Sequence, residues 1–174
     1  MDALVVIDVQ QGMWAFPEYP PHDGEGMVGR ICGLIDRARA AGAPVFFVQH
    51  EGGPGEALEP GKPGFALHAD LRPRPDEPVI AKRQCSAFLD TDLDARLKSA
   101  GADRLVICGM QTEFCVDTAV RGAVERGYKV TLVADGHSTG DTRVLKAADI
   151  IRHHNNTLRM GFAEVKPAAE IAFG

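Results

Sequence analysis

Three residues of this 174-residue chain have side chains that together could activate a nucleophile. Cys115 carries a thiol, Asp8 a carboxylate and Lys82 an ammonium group. A carboxylate takes up a thiol proton as a general base, and an ammonium group keeps a carboxylate ionised or stabilises a thiolate. A cysteine activated in this way attacks carbonyl carbon atoms, so the three residue types indicate nucleophilic catalysis.

Each of these residues also has an ordinary explanation. An aspartate after a strand often forms a turn by binding nearby backbone amides, and a lysine usually lies at the solvated surface. A lone cysteine is more often a small buried hydrophobic residue. The functional interpretation depends on the combination, because Asp8, Lys82 and Cys115 each follow an apolar run typical of a buried strand.

The segment around Cys115 reads as a strand followed by a helix. The strand is predicted to end at Gly109 and the helix to begin near Thr112, with Thr112 as its N-cap. Cys115 then lies in the first helical turn, where unpaired N–H groups and a partial positive charge are exposed. We therefore expect a lowered thiol pKa at Cys115 and a place for a developing oxyanion.

The elements that must position these side chains alternate between strands and helices. The strand runs are continuous rather than alternating, as is typical of a parallel sheet covered on both faces. Right-handed crossovers then predict a doubly wound α/β fold, with the three residues at the carboxyl edge of the sheet. The length suits one domain over residues 1–174. The predicted strands are 3–9, 44–48, 79–81, 105–108, 130–133 and 162–165, and the predicted helices are 28–41, 91–98, 112–126 and 141–158.

Two long segments, 10–25 and 51–78, fit neither pattern and follow strands. Connections of this length are usually binding loops or lids. Trp14 and Phe16, with Phe88 after Lys82, would either line an apolar pocket beside the thiol or pack beneath the loops.

Composition excludes several other classes. Nineteen basic and 24 acidic residues give a net charge of −5 without a basic run, which argues against nucleic acid binding. No apolar stretch reaches membrane-spanning length, and the N-terminus has no signal-peptide features. The four cysteines form no C-x-x-C pair and have no zinc-finger spacing, so reduced thiols and a cytoplasmic location are expected.

The sequence resembles the isochorismatase-like cysteine hydrolases, a superfamily that includes nicotinamidases, N-carbamoylsarcosine amidohydrolases and isochorismatases. The resemblance covers nearly the whole chain in the expected order. Its motifs are Val6-Ile7-Asp8-Val9-Gln10, Lys82 with Ser86-Ala87-Phe88, Gly109-Met110-Gln111-Thr112-Glu113-Phe114-Cys115, Thr118-Ala119-Val120-Arg121-Gly122-Ala123 and Val133-Ala134-Asp135.

This resemblance implies a six-stranded parallel sheet with helices on both faces and a family triad of Asp8, Lys82 and Cys115. It also implies a cis peptide bond between Met110 and Gln111, and an oxyanion hole formed by the backbone N–H groups of Gln111 and Cys115. The implied reaction is hydrolysis of a small-molecule amide or ureido C–N bond through a thioester. Relatives are commonly dimers or tetramers, so a homo-oligomer is expected.

One departure narrows the substrate. Nicotinamidase relatives carry an Asp-x-His metal motif after the second strand, whereas the matching stretch here is Val48-Gln49-His50-Glu51. His50 and His68 remain without a placed carboxylate, so we expect neither a metal nor another cofactor, and nicotinamide is not the preferred substrate. His50 would instead contact a polar substrate group or face solvent. Cys115 favours C–N hydrolysis over cleavage of the isochorismate vinyl ether.

Two other interpretations of the chain stay open. One is a catalytically silent binding or scaffold protein, and the other is a redox-sensing thiol with Cys108 as its partner. The sequence assigns no role to His137. Adjacent residues of a helix point in different directions, so His153 and His154 are predicted to form a surface or subunit contact rather than a metal site. The apolar stretch 168–173 is a second candidate subunit contact.

Overall fold

The computed structural model describes residues 1–174 and contains one six-stranded sheet in which all neighbours are parallel. The strand order is β3-β2-β1-β4-β5-β6. This confirms the predicted doubly wound six-stranded sheet. The strands are β1 (Asp2–Ile7), β2 (Val45–His50), β3 (Val79–Lys82), β4 (Arg104–Met110), β5 (Lys129–Ser138) and β6 (Glu164–Lys166).

Helices cover both faces of the sheet. The residues of α1 pack with one core cluster, while residues of α2, α3 and α4 pack with the other. None of the helices combines the length and apolar character that crossing a bilayer requires. The helices are α1 (Gly24–Ala40), α2 (Leu93–Ser99), α3 (Asp117–Glu125) and α4 (Ala147–Gly161).

The continuous apolar run of β1 follows from this three-layer arrangement. Successive side chains of a strand point to opposite faces, so alternate residues enter different cores. Ala3, Val5 and Ile7 lie in the α2–α4 core, whereas Leu4 and Val6 lie in the α1 core. All six residues of β1 are buried.

Three predicted helix starts were wrong. The first helix begins at Gly24 rather than at residue 28. A π-helical turn, Thr112–Val116, precedes α3, and its N-cap residue is Gln111, which makes no side-chain capping bond. The Thr112 hydroxyl lies 2.9 Å from His137 Nδ1 instead of capping a helix. The last helix begins at Ala147 rather than at residue 141, because residues 141–146 form a hydrogen-bonded loop.

The C-terminal stretch packs on its own chain. Ala168 and Ile171 are buried in the α1 core, and Phe173 packs against it. These apolar side chains thus pack within the chain, and a role of residues 168–173 in a subunit contact stays a prediction.

A close approach between β1 and β4 fixes the position of the candidate site. Gly109 has φ +125°, and a Cβ built there would lie 2.0 Å from the Ile7 carbonyl oxygen. Only glycine satisfies both conditions. The absence of a side chain therefore lets the end of β4, which leads to Cys115, lie directly against the end of β1, which leads to Asp8.

We predict that Gly109→Ala destabilises the fold by about 3 kcal/mol, because the new Cβ meets backbone and the φ angle is unfavourable. The matched control is Gly29→Ala in α1, where a Cβ has open space within 4 Å. That substitution should raise stability by about 0.5–1 kcal/mol through helix propensity. Urea unfolding of both variants checks this, and equal stabilities would contradict the close-approach argument.

Candidate active site

The candidate residues meet at the carboxyl edge of the sheet, at its topological switch point. From β1 the chain moves outward through β2 to β3, and then returns to add β4 on the other side of β1. Loops after strands diverge at such a point and leave a crevice between them. Asp8 follows β1, His50 and Lys82 end β2 and β3, and Cys115 lies in the π-helical turn after β4.

A buried ion pair forms the centre of the site. Lys82 Nζ lies 2.7 Å from Asp8 Oδ2, and both side chains are 0% exposed. The same ammonium donates to Cys115 Sγ at 3.2 Å and to the Gln84 carbonyl oxygen at 3.0 Å. Asp8 Oδ1 has no hydrogen-bond partner in the chain. The structure thus brings together the three predicted residues from three separate strands.

The charges of this site favour a neutral thiol beside a carboxylate. Burial raises the pKa of Asp8, and the Lys82 ammonium partly offsets that effect. Burial has the largest single effect on Lys82 and lowers its pKa, but Asp8 and Cys115 together outweigh burial, so the Lys82 pKa is raised. Burial and then the Asp8 charge raise the pKa of Cys115 to about 12. The expectation of a lowered thiol pKa was therefore wrong, because burial and the Asp8 carboxylate outweigh the lowering effect of the Lys82 ammonium.

His50 lies next to the ion pair with a defined tautomer. Its Nδ1 is 3.4 Å from Lys82 Nζ. An ammonium group only donates, so Nδ1 accepts and the neutral ring carries its proton on Nε2. Burial and the Lys82 charge both lower the pKa of His50. No group of three or more His, Cys, Asp or Glu side chains is arranged to hold a metal ion.

Gln10 is a buried residue of the site that the sequence interpretation missed. Its Nε2 donates to the carbonyl oxygens of His50 (3.0 Å) and Phe65 (2.8 Å), and its Oε1 accepts from the His50 N–H (2.8 Å). An isolated bridge pairs Gln10 with Leu67. The Gln10 amide therefore fixes the end of β2 and ties down the long loop 51–78. The available signal was a polar residue just after the apolar run of β1.

The predicted pocket aromatics occupy three different environments. Trp14 is half-buried, with its ring centroid 5.0 Å from that of His68, and Phe16 is 52% exposed. Phe88 is only 6% exposed, and its ring stacks on Tyr128 within the core. Phe88 is therefore a core residue rather than a pocket residue, since the packing of α2 and α3 covers it.

A polar cleft of about 370 Å³ opens beside Lys82. An ion pair between Arg83 Nε and Glu51 Oε2 (2.8 Å) lies on its wall, and Asp90 adds another carboxylate. The lining includes neither Asp8 nor Cys115, and the Lys82 side chain is 0% exposed, so this cleft does not open onto the thiol.

The peptide bond between Met110 and Gln111 is cis. The Gln111 N–H donates to no backbone carbonyl oxygen, while its own carbonyl oxygen accepts from the N–H groups of Phe114 (3.2 Å) and Val116 (3.1 Å). This N–H is therefore free to serve as a donor at the turn that holds Cys115.

The other histidines and cysteines lie outside this centre. His154 Nδ1 is 3.2 Å from Asp117 Oδ1, so it already has a partner within the chain. His137 is buried and lies between Thr112 and Asn155. All four cysteines are free thiols, and Cys108 forms no disulfide with Cys115.

The family model described as the isochorismatase domain matches residues 2–160. The chain belongs to the isochorismatase family. It is 40% identical over 141 residues to a streptothricin hydrolase of Streptomyces noursei, covering 81% of this chain and 51% of that protein. It is 27% identical to the ureidoacrylate amidohydrolase RutB of Variovorax paradoxus, over 84% of this chain and 72% of that protein.

A solved structure supports the same family. An isochorismatase structure from Pseudomonas putida KT2440 superposes with a TM-score of 0.92 at 32% identity, covering 98% of this chain and 89% of the other. The chain spans about half the length of the streptothricin hydrolases that it matches.

We predict that Lys82→Met lowers the free energy of unfolding by about 3 kcal/mol, because it leaves the Asp8 carboxylate buried without a counter-charge. Asp8→Asn in the same chain should restore much of that loss, since the buried charge is then gone. Urea unfolding of the two single variants and the double variant measures the coupling. Additive losses would contradict a desolvated ion pair.

We predict that iodoacetamide alkylates Cys115 more slowly than the exposed Cys85 at about pH 8, with a rate that keeps rising into the alkaline range. Asp8→Asn should speed the reaction at Cys115, because the carboxylate raises the thiol pKa. Peptide-level mass spectrometry separates the two sites. Titration of Cys115 below the ordinary value of about 8.5 would contradict the neutral-thiol description.

Proposed function

We propose that this protein is a cysteine-dependent hydrolase that cleaves an amide or ureido C–N bond of a small molecule through a thioester. The observation that carries the proposal is the contact of one buried ammonium with both other groups. Lys82 Nζ lies 2.7 Å from Asp8 Oδ2 and 3.2 Å from Cys115 Sγ. A nucleophile and a base that share one buried positive charge are the groups that covalent catalysis requires at one place.

In the first half-reaction, Asp8 takes the thiol proton while Cys115 Sγ attacks the carbonyl carbon. The raised pKa of Asp8 makes its carboxylate a stronger base than an exposed aspartate. The oxyanion accepts hydrogen bonds from the Gln111 and Cys115 N–H groups. Asp8 then gives its proton to the leaving nitrogen as the C–N bond breaks, so the products are an amine and a thioester.

In the second half-reaction, Asp8 takes a proton from water, whose oxygen attacks the thioester carbonyl carbon. The C–S bond breaks, the acid leaves and the sulfur recovers the proton from Asp8. Lys82 keeps its charge throughout. Its role is to hold the buried Asp8 ionised until proton transfer and to stabilise the sulfur as negative charge develops.

The names of two relatives support C–N hydrolysis. One is a streptothricin hydrolase and the other a ureidoacrylate amidohydrolase. The His50 Nε2–H is a candidate donor to a polar group of the substrate. A single domain over residues 1–174, a reaction without metal or cofactor, and a homo-oligomeric assembly stay part of this proposal.

We predict that Cys115→Ala lowers the hydrolysis rate by at least about a thousandfold, because the nucleophile is lost. Asp8→Asn should be similarly inactive despite its more reactive thiol. Amine release from a panel of amides and ureides provides the assay, and Cys85→Ala is the matched control because that thiol is exposed. Retained activity in Cys115→Ala would refute the proposal.

A further inference from the structure

Three consecutive buried residues at the end of β5 bind two segments of the site. His137, Ser138 and Thr139 are 3%, 0% and 1% exposed. The Ser138 hydroxyl donates to the His22 carbonyl oxygen at 2.6 Å, in the loop between β1 and α1. The other two residues bind the π-helical turn Thr112–Val116, which holds Cys115.

The π-helical turn is held at two adjacent side chains. The Thr112 hydroxyl lies 2.9 Å from His137 Nδ1. The Thr139 hydroxyl donates to Glu113 Oε1 at 3.0 Å. Thr112 directly follows Gln111. The orientation of Thr112 therefore influences where the backbone N–H groups of the proposed oxyanion hole point.

The hydrogen bonds of His137 have a fixed direction. Asn155 Nδ2 donates to the Ala134 carbonyl oxygen at 2.9 Å, so Asn155 Oδ1 faces His137 Nε2, also at 2.9 Å. An amide oxygen only accepts, so His137 carries its proton on Nε2 and its Nδ1 is an acceptor. The Thr112 hydroxyl therefore donates to His137. Burial lowers the pKa of His137 to about 4, so the ring is neutral at physiological pH.

An irregularity in the sheet brings His137 to this position. Ile107 pairs with Leu132, but Gly109, two residues further along β4, pairs with His137, five residues further along β5. Three extra residues of β5 thus place the imidazole beside the start of the π-helical turn. An apolar side chain at position 137 would fill this buried site at less cost in desolvation. Stability alone therefore does not explain the hydrogen-bonded series Thr112–His137–Asn155.

We propose that His137 is a positioning residue for acyl transfer, which through Thr112 fixes the π-helical turn so that the Gln111 and Cys115 N–H groups meet the oxyanion. This inference rests on the proposed cysteine hydrolase function. It predicts that the hydrogen bond to Thr112, rather than the one to Asn155, controls the rate.

Two amide substitutions separate these hydrogen bonds. His137→Asn places an amide oxygen near the position of Nδ1 and keeps an acceptor for Thr112. His137→Gln places an amide nitrogen near the position of Nε2 and keeps a donor for Asn155. His137→Leu removes both hydrogen bonds.

Two reagents separate positioning of the oxyanion donors from thiol reactivity. Acylation of Cys115 by p-nitrophenyl acetate generates an oxyanion, whereas alkylation by iodoacetamide does not.

We predict that His137→Gln and His137→Leu slow Cys115 acylation by about tenfold to a hundredfold, while His137→Asn stays close to the wild type. The alkylation rate of Cys115 should change little in all three variants. Thr112→Val removes the same hydrogen bond from its other end, and should slow acylation to the same extent even if the His137 variants fold poorly. Combined with His137→Leu, it should add no further loss.

Three results would overturn the inference. These are equal acylation losses in His137→Asn and His137→Gln, wild-type acylation in His137→Leu and Thr112→Val, or parallel losses of acylation, alkylation and unfolding temperature. Failure of the proposed function itself would look different. In that case Cys115→Ala would release p-nitrophenol as fast as the wild type, and no acyl group would be found on Cys115 in the unmodified sequence.

Discussion

The buried ion pair between Asp8 and Lys82 is the interaction on which the rest of the site depends. Each charge alone would be costly in the interior, and their attraction offsets that cost only at close range. The two residues end strands that are separated by β2 in the sheet. The register of β2 with β3, in which His50 pairs with Lys82, brings the ammonium to the level of Asp8. The fold therefore stabilises the pair, and the pair joins the ends of β1 and β3 across β2.

This arrangement determines the protonation state of Cys115. A carboxylate and an ammonium beside one sulfur have opposite effects on the thiol pKa, so burial decides the balance and keeps the proton on sulfur. Such a thiol reacts slowly with general electrophiles and oxidants, since the thiolate is the reactive form. In the proposed mechanism, reactivity then depends on a carbonyl group placed so that attack and proton transfer to Asp8 occur together. We propose that the site is selective because its nucleophile is not formed in advance.

The parts of the molecule that the sequence predicted are those encoded by local patterns. Apolar runs identified the strands, and the positions after these runs pointed to Asp8, Lys82 and Cys115. Hydrogen bonds between distant residues leave little local signal. Gln10 is marked only as a polar residue after an apolar run, yet it binds a carbonyl oxygen 55 residues away. The Thr112 prediction failed for the same reason, because its partner His137 competes with the capping role. The thiol pKa was misjudged because burial depends on the whole fold, whereas the helix-terminus argument considers one turn.

The solvent isotope effect on acylation of Cys115 reports whether the thiol proton moves to Asp8 during attack. Single-turnover acylation by p-nitrophenyl acetate would be followed in H₂O and D₂O, in the pH-independent region of each solvent. If the proton leaves sulfur for Asp8 as the bond to carbon forms, the rate falls in D₂O, and Asp8→Asn removes both the isotope effect and most of the rate at neutral pH. Equal or faster acylation in D₂O would mean that a thiolate exists before attack, and would contradict the account.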